Sequence, residues 1–141
     1  MKKDNKGFSL VELIVVIAIM AVLMVVVTPA LLRYVEKSRL QKDNSAIAEI
    51  ENAAKIACAS EDINQEIGAV AAGATISFDT NHAMVLPSTD FPKFSAEMSI
   101  ILGNIKLSSN TYTKSGATAP SLNVKVDANQ TVQVTINGLV Q

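Results

Sequence analysis

The chain has 141 residues, of which 49% are hydrophobic and 18% are charged, and its formal net charge is −1 at pH 7. This length accommodates one modest domain, and the near-neutral charge excludes the basic surface with which nucleic-acid-binding proteins hold phosphates. The only cysteine is Cys58, so an intramolecular disulfide is excluded as well.

The first predicted element is a long apolar helix near the N-terminus. Residues from Leu13 to Leu32 carry no charge, and at about 1.5 Å per helical residue this run spans roughly 30 Å, the hydrocarbon thickness of a bilayer. Glu12 lies at its start. An ionised side chain within a bilayer costs about 2.5–3.5 kcal/mol, which makes Glu12 a functional-site candidate. The alternative is that Glu12 lies near the interface and extends to water.

A basic leader, Gly7, Phe8 and the sequence Ser-Leu-Val-Glu ending at Glu12 introduce this helix. Together they resemble the N-terminus of type IV prepilins, from Met1 to about Ala59 at the level of motifs and only in architecture beyond. The resemblance implies that a prepilin peptidase cleaves the Gly7–Phe8 bond and that Phe8 is then N-methylated. It also implies that Glu12, the fifth residue of the mature chain, pairs with the Phe8 amine of a neighbouring subunit.

Pro29 interrupts the apolar helix at a position where pilin helices are usually broken. Proline lacks an N–H and clashes with the carbonyl four residues earlier, so we expect a kink or local loosening near Met24 and Val25. Thr28 is a candidate partner for the freed carbonyl. The resemblance implies that this part of the helix unwinds when subunits pack; the alternative is a tolerated kink in a transmembrane helix.

The helix is predicted to continue from Leu32 to Ala59 as an amphipathic segment. Charged residues from Glu36 to Asp43 are expected on a solvated face, with inter-subunit ion pairs as the alternative. Cys58 is expected to be a small core residue, and the alternative is a thiol available for inter-subunit or redox chemistry. The apolar face follows i, i+3, i+4, i+7 spacing and consists of Leu40, Ala46, Ile47, Ile50, Ala53, Ala54 and Ala57.

Residues 60–141 are predicted to form a β-rich domain. After a short helix or helix end and a small-residue loop ending at Gly73, alternating apolar residues predict strands at 74–78 and 83–86. A helix is predicted over 95–102 and a strand over 105–107, with loops at 88–93 and 108–121. Residues 122–126 and 132–136 alternate on either side of a turn at 127–130, which predicts an antiparallel hairpin with one buried face. The expected fold is therefore α+β, with a long N-terminal helix packed on a small antiparallel β-sheet.

No catalytic or metal-binding pattern accompanies these elements. His82, the only histidine, lies beside a predicted turn, where a surface role is expected. The sequence contains no CxxC, HExxH, phosphate-binding glycine loop or EF-hand pattern. We therefore expect neither enzymatic activity nor a metal or cofactor.

The predicted organisation has four parts: a leader (1–7), a transmembrane or filament-core helix (8–32), its amphipathic second half (33–59) and a globular domain (60–141). The resemblance implies a precursor that spans the bacterial cytoplasmic membrane once, with its N-terminus inside. It then joins an extracellular filament, a type IV pilus or a pilus-like structure. Its partners would be other copies, other pilins, the prepilin peptidase and N-methyltransferase, and an assembly platform.

Three alternatives stay open. The chain could be a pseudopilin of a type II secretion or DNA-uptake apparatus, or a monomeric membrane-anchored surface binding module that is not cleaved at Gly7. It could also be a secreted domain released after Ala30, where small residues suit a signal peptidase. A major pilin would provide adhesion, twitching motility or DNA uptake. The N-terminal residue of the mature protein distinguishes pilin-type processing from the last two alternatives.

Overall fold

The computed structural model describes residues 8–114 and 118–140, so the predicted leader, residues 1–7, lies outside the described residues. The chain divides into two compact units, Met1–Glu36 and Lys37–Gln141. Helix α1, Leu10–Ala57, begins in the first unit, and its residues from Lys37 onward are the first element of the second unit. The predicted α+β architecture is confirmed, since the long N-terminal helix packs on a small antiparallel sheet.

The second unit builds one four-stranded sheet with three further helices. The strands lie in the order β2-β1-β3-β4, and every neighbouring pair is antiparallel. Ala74 of β1 lies opposite Val124 of β3, which in turn lies opposite Val134 of β4. The predicted first strand and C-terminal hairpin are thereby confirmed. After α1 the elements are α2 (Glu61–Gly68), β1 (Ala74–Phe78), β2 (Met84–Val85), α3 (Pro92–Leu102), α4 (Asn110–Thr113), β3 (Ser121–Val126) and β4 (Val132–Asn137).

The core of this unit joins the apolar face of α1 to one face of the sheet. The spacing predicted for α1 is confirmed, because its buried positions follow the helical repeat, and the buried strand positions alternate. Burying each such aliphatic side chain contributes about 1.5–3 kcal/mol. The largest buried apolar residues of α1, α2, α3 and the sheet are Ile47, Ile50, Ile67, Phe94, Met98, Ile76, Leu122 and Val124.

Helix α1 ends at Ala57 rather than at the predicted Ala59. The backbone N–H groups of Ala59 and Ser60 donate to carbonyls three residues earlier, at 3.0 and 3.2 Å, which tightens the last turn. Ser60 then has an extended backbone and precedes α2. The helix therefore stops because the chain turns directly into the next helix.

Helix α3 begins at Pro92, three residues before the predicted start, so the loop prediction is wrong for Pro92 and Lys93. Proline suits the first turn of a helix, where its missing N–H has no helical acceptor to lose. The Glu66 carboxylate of α2 accepts the next two backbone N–H groups, of Lys93 at 3.1 Å and Phe94 at 2.9 Å. A side chain distant in sequence thus fixes this helix start.

The segment between α3 and β3 differs most from prediction. The predicted strand at 105–107 is reduced to a single bridge between Lys106 and Ala83. The predicted exposed loop at 108–121 contains α4, and within it Ser109 and Tyr112 are buried. A polar contact from α1, described below, holds this segment against the domain.

Gly73 precedes β1 in a conformation that requires glycine. Its φ is +72°, and a Cβ atom there would lie 2.4 Å from the carbonyl oxygen of Val124. Any other residue would collide with the backbone of β3. The close approach of the two strands at this turn therefore depends on the absence of a side chain.

Candidate functional site

The apolar part of α1 leaves large hydrophobic side chains uncovered. Phe8 is 87% exposed and precedes the helix, and Val25 on the helix is 75% exposed. By length and composition this helix suffices to cross a membrane. Contiguous apolar surface of this extent marks a segment that meets lipid or other protein.

The helix begins with one of the two bonds of a capping box, which joins Ser9 and Glu12. Ser9 is the last residue before the helix, and its carbonyl accepts the N–H of Leu13 at 3.3 Å. Oε2 of Glu12 accepts the backbone N–H of Ser9 at 2.8 Å. An acid in the third helical position that returns to this N–H satisfies a donor that the helix cannot. The Ser-x-x-Glu spacing, readable in the sequence, signals this local role, which our sequence analysis did not assign.

The carboxylate of Glu12 retains capacity for a second partner. One oxygen holds the Ser9 N–H, and an ionised carboxylate offers about four acceptor sites. Within residues 8–114 and 118–140 no salt bridge reaches Glu12. The positive end of the helix dipole favours its negative charge. The geometry therefore presents an anionic group at the start of an apolar helix, beside Phe8.

Pro29 lies within α1, which continues as a helix on both sides of it. Thr28 Oγ1 donates to the carbonyl of Met24 at 2.7 Å. The carbonyl that loses its helical donor to proline is that of Val25, four residues before Pro29. Thr28 therefore does not satisfy the carbonyl we expected it to satisfy. It adds a bond one residue earlier, a placement that often bends helices.

Gly7, the residue on the other side of the predicted cleavage bond, lies outside the described residues. The described site thus consists of Phe8, Ser9 and Glu12 at the helix start, with Thr28 and Pro29 farther along the same helix. It contains an acceptor, a helix cap and an apolar surface. These features suit association with lipid or with other protein surfaces.

The structure also shows the surroundings of Cys58 and His82, the two other residues that the sequence analysis considered for chemistry. Cys58 is buried, as predicted, and burial raises the pKa of its thiol from 9.0 to about 11. This disfavours the reactive thiolate. His82 is partly buried in the turn after β1, with φ of 62°, and its carbonyl accepts the N–H of Leu107 at 3.0 Å. Within the described residues no group of three or more His, Cys, Asp or Glu side chains suits a metal ion.

Asp43 is the residue that our sequence interpretation misplaced. It was expected on a solvated face but is only 1% exposed. Its Oδ2 accepts the backbone N–H of Ser109 at 2.7 Å, and both of its oxygens accept that of Ser108, at 3.0 and 2.9 Å. The signal was present, because Asp43 precedes Ile47 by four residues and therefore shares its helix face.

Comparison with known families identifies a motif in the N-terminal segment. Residues 2–28 match the model of the prokaryotic N-terminal methylation motif, the motif of the class III signal peptide of type IV pilins. Neither the curated proteins nor the solved structures yield a significant match. The matched residues include Phe8, Ser9, Glu12 and Thr28, so the motif covers nearly all of the site described above. It supports a type IV pilin-like or pseudopilin precursor, which is handled by a prepilin peptidase and anchored in a membrane before assembly.

Proposed function

We propose that this chain is a structural subunit of a type IV pilus or pilus-like filament. It is made as a membrane-held precursor, cleaved between Gly7 and Phe8, N-methylated at Phe8 and assembled through its apolar helix. The observation that carries the proposal is the coincidence of the methylation motif at residues 2–28 with a helix whose apolar side chains are exposed there. The motif indicates how the precursor is processed, and the exposed apolar surface favours packing against the helices of other subunits.

The exposed apolar surface supports a two-stage existence for the subunit. Lipid covers the helix before assembly, and helices of other copies cover it afterwards. Lipid tails are as apolar as these side chains, so close packing and polar pairing must favour the filament over the membrane. Val15, Val22 and Val26 are all at least 49% exposed, which leaves their surfaces available for such packing.

Glu12 supports the proposal as the polar element of that packing. Cleavage before Phe8 creates an amine, and the free acceptor capacity of the Glu12 carboxylate suits the amine of a neighbouring subunit. A buried charge left without its partner is costly, whereas a complete pair adds little net stability. The pair would therefore select the axial register in which each Glu12 meets an amine.

The remaining residues take the roles expected from the sequence. Residues 1–7 serve as the leader, 8–32 as membrane segment and filament core, and 33–59 as the second half of the helix. Residues 60–141 form the globular domain presented at the filament surface. Pro29 and Thr28 provide a weakened part of the helix that can adapt during packing. The motif points to a structural subunit, and its partners are other pilins, the peptidase and an assembly platform.

The first test is intact-mass and N-terminal peptide mass spectrometry on protein expressed in a host with prepilin peptidase. The expected mature chain begins at Phe8 with one extra methyl group. A chain that still begins at Met1 would favour the membrane-anchored binding module, and a chain that begins at Leu31 would favour a secreted domain. Either outcome would refute the proposal.

The second test separates the two roles of Glu12. A glutamine in the third helical position still accepts the Ser9 N–H but carries no charge, so Glu12→Gln should keep processing and helix start while filament yield falls at least tenfold. Glu49→Ala, which removes an exposed carboxylate of the same helix, is the matched control and should assemble normally. Filaments are quantified by shearing, sedimentation and electron microscopy. If the unaltered chain is processed correctly but assembles only into short, cell-bound filaments, the result would favour the pseudopilin alternative.

A further inference from the structure

The segment that follows β4 is bound by two polar side chains distant from it in sequence. The N–H of Val140 donates to Oη of Tyr112 at 2.9 Å, and this phenol donates to Oδ1 of Asn44 at 2.8 Å. Nδ2 of Asn44 donates to the carbonyl of Val140 at 2.8 Å. The phenol has a single proton, so its 3.4 Å approach to the same carbonyl is the weaker arrangement. The three shorter bonds form a closed ring around one peptide residue.

Burial contributes little to holding this segment. The side chains of Leu139 and Val140 remain 40% and 44% exposed, whereas Tyr112 is 1% exposed. The ring of bonds engages the N–H and C=O of Val140 and makes no use of its side chain. Gly138, with φ of +79°, turns the chain out of β4 towards this site. The site therefore recognises backbone, and it is built on a rigid, buried aromatic residue.

We propose that Asn44 and Tyr112 form a latch for residues 138–140, which act as a strap that opens and closes while the sheet stays folded. Segments whose side chains are exposed and make few buried apolar contacts open at lower free energy than the core. When the strap opens, water replaces its bonds and the apolar core keeps its contacts. Asn44 and Val140 are 96 positions apart, and the chain has one cysteine, so the latch ties distant parts of the domain without a covalent link. The inference goes beyond the filament proposal and does not depend on it.

The test is amide hydrogen exchange at Val140 in the full chain held in detergent micelles, expressed as protection relative to an unstructured peptide. Tyr112→Phe keeps the ring but removes the phenol that joins Val140 to Asn44, and should lower protection at Val140 about tenfold. Asn44→Ala removes the acceptor of the phenol and the donor to Val140 and should have a similar effect. Tyr34→Phe changes an exposed tyrosine, and Val140→Ala alters only the unused side chain, so both should leave protection within twofold.

The amides of Leu122 and Val124 in β3 provide the internal reference, because both residues are fully buried. The latch is supported when protection falls at Val140 and stays unchanged at these two positions. Val140 exchanging at the unprotected rate in the unaltered chain would overturn the proposal. So would unchanged protection in Tyr112→Phe and Asn44→Ala, or a loss in both variants that includes the β3 amides, because the strap would then be part of the global fold.

Discussion

The buried carboxylate of Asp43 allows a quantitative prediction about the stability of the domain. In Asp43→Ala the backbone N–H of Ser109, a residue with 0% exposure, loses its 2.7 Å acceptor. A buried donor left unsatisfied costs about 1–3 kcal/mol, and bonds to a charged acceptor contribute about 1.5–3 kcal/mol each. Ser108 is exposed, so water can replace its lost bonds.

Alanine returns up to about 0.7 kcal/mol through its better helix propensity. The expected net loss is therefore about 3 kcal/mol, a large part of the 5–15 kcal/mol that typically stabilises a domain. For a unit of this size the midpoint of thermal unfolding should fall by about 14 °C. Asp43→Asn retains one oxygen acceptor but turns an amide donor towards the N–H groups, and should lose about 2 kcal/mol.

The assay is thermal unfolding of the full chain in mild detergent, followed by near-ultraviolet circular dichroism. Tyr112 is buried within the segment that Asp43 holds, whereas Tyr34 is 72% exposed, so the signal reports the globular unit. Glu49→Ala is the control for removing a carboxylate from the same helix. A midpoint for Asp43→Ala within about 2 °C of this control, corresponding to about 0.5 kcal/mol, would refute the reasoning.

Two further predictions concern Gly73 and Cys58. Gly73→Ala should destabilise the domain by about 2–4 kcal/mol in the same melting assay, because its Cβ would lie 2.4 Å from the Val124 carbonyl at positive φ. The control is Gly68→Ala, whose Cβ would lie 3.8 Å from Val126 and which should be neutral or stabilising. Equal effects of the two substitutions would contradict this prediction. The folded-state pKa of Cys58 is raised from 9.0 to about 11, so the folded thiol keeps its proton while the unfolded one loses it. The contribution of the protonated thiol to the free energy of unfolding should be fully present below about pH 9 and lost between pH 9 and 11. In denaturant titrations over this range, the free energy of unfolding of Cys58→Ala should therefore fall less steeply with pH than that of the unaltered chain. Identical pH slopes for the two proteins would count against this prediction.

The predictable parts of the fold are those in which local pattern and tertiary environment agree. In the hairpin, Leu122 and Val124 alternate with polar residues because one face of the sheet is buried, and the alternation is visible in the sequence. The apolar helix is equally local, and the methylation motif match covers its residues up to Thr28. Glu12 was predicted to be a functional residue through its charge, but its partner in the same chain, the Ser9 N–H, was not predicted although the Ser-x-x-Glu spacing indicates it.

The elements that could not be predicted depend on contacts distant in sequence. Helix α4 has four residues, too few to show a helical period, and the Asp43 carboxylate binds the residues that precede it. The start of α3 at Pro92 likewise depends on Glu66, more than twenty residues earlier. Asp43 itself was misplaced because its neighbours in sequence are charged, and the helical phase that buries it carries more weight than that local composition.

The strand order has a consequence for the time at which the domain can fold during synthesis. β1 occupies an inner position of the sheet, and its longest pairing, with β3, joins Ala74 to Val124. Neither β2 nor α3 can substitute for that neighbour, so one edge of β1 keeps its backbone N–H and C=O groups unpaired while about fifty residues are added. Such non-local pairing folds slowly and prolongs exposure to aggregation. The nascent domain should therefore need a chaperone or a tether until β3 has emerged, and a ribosome-bound chain that ends before Ser121 should be digested by protease at positions that are resistant in the finished protein.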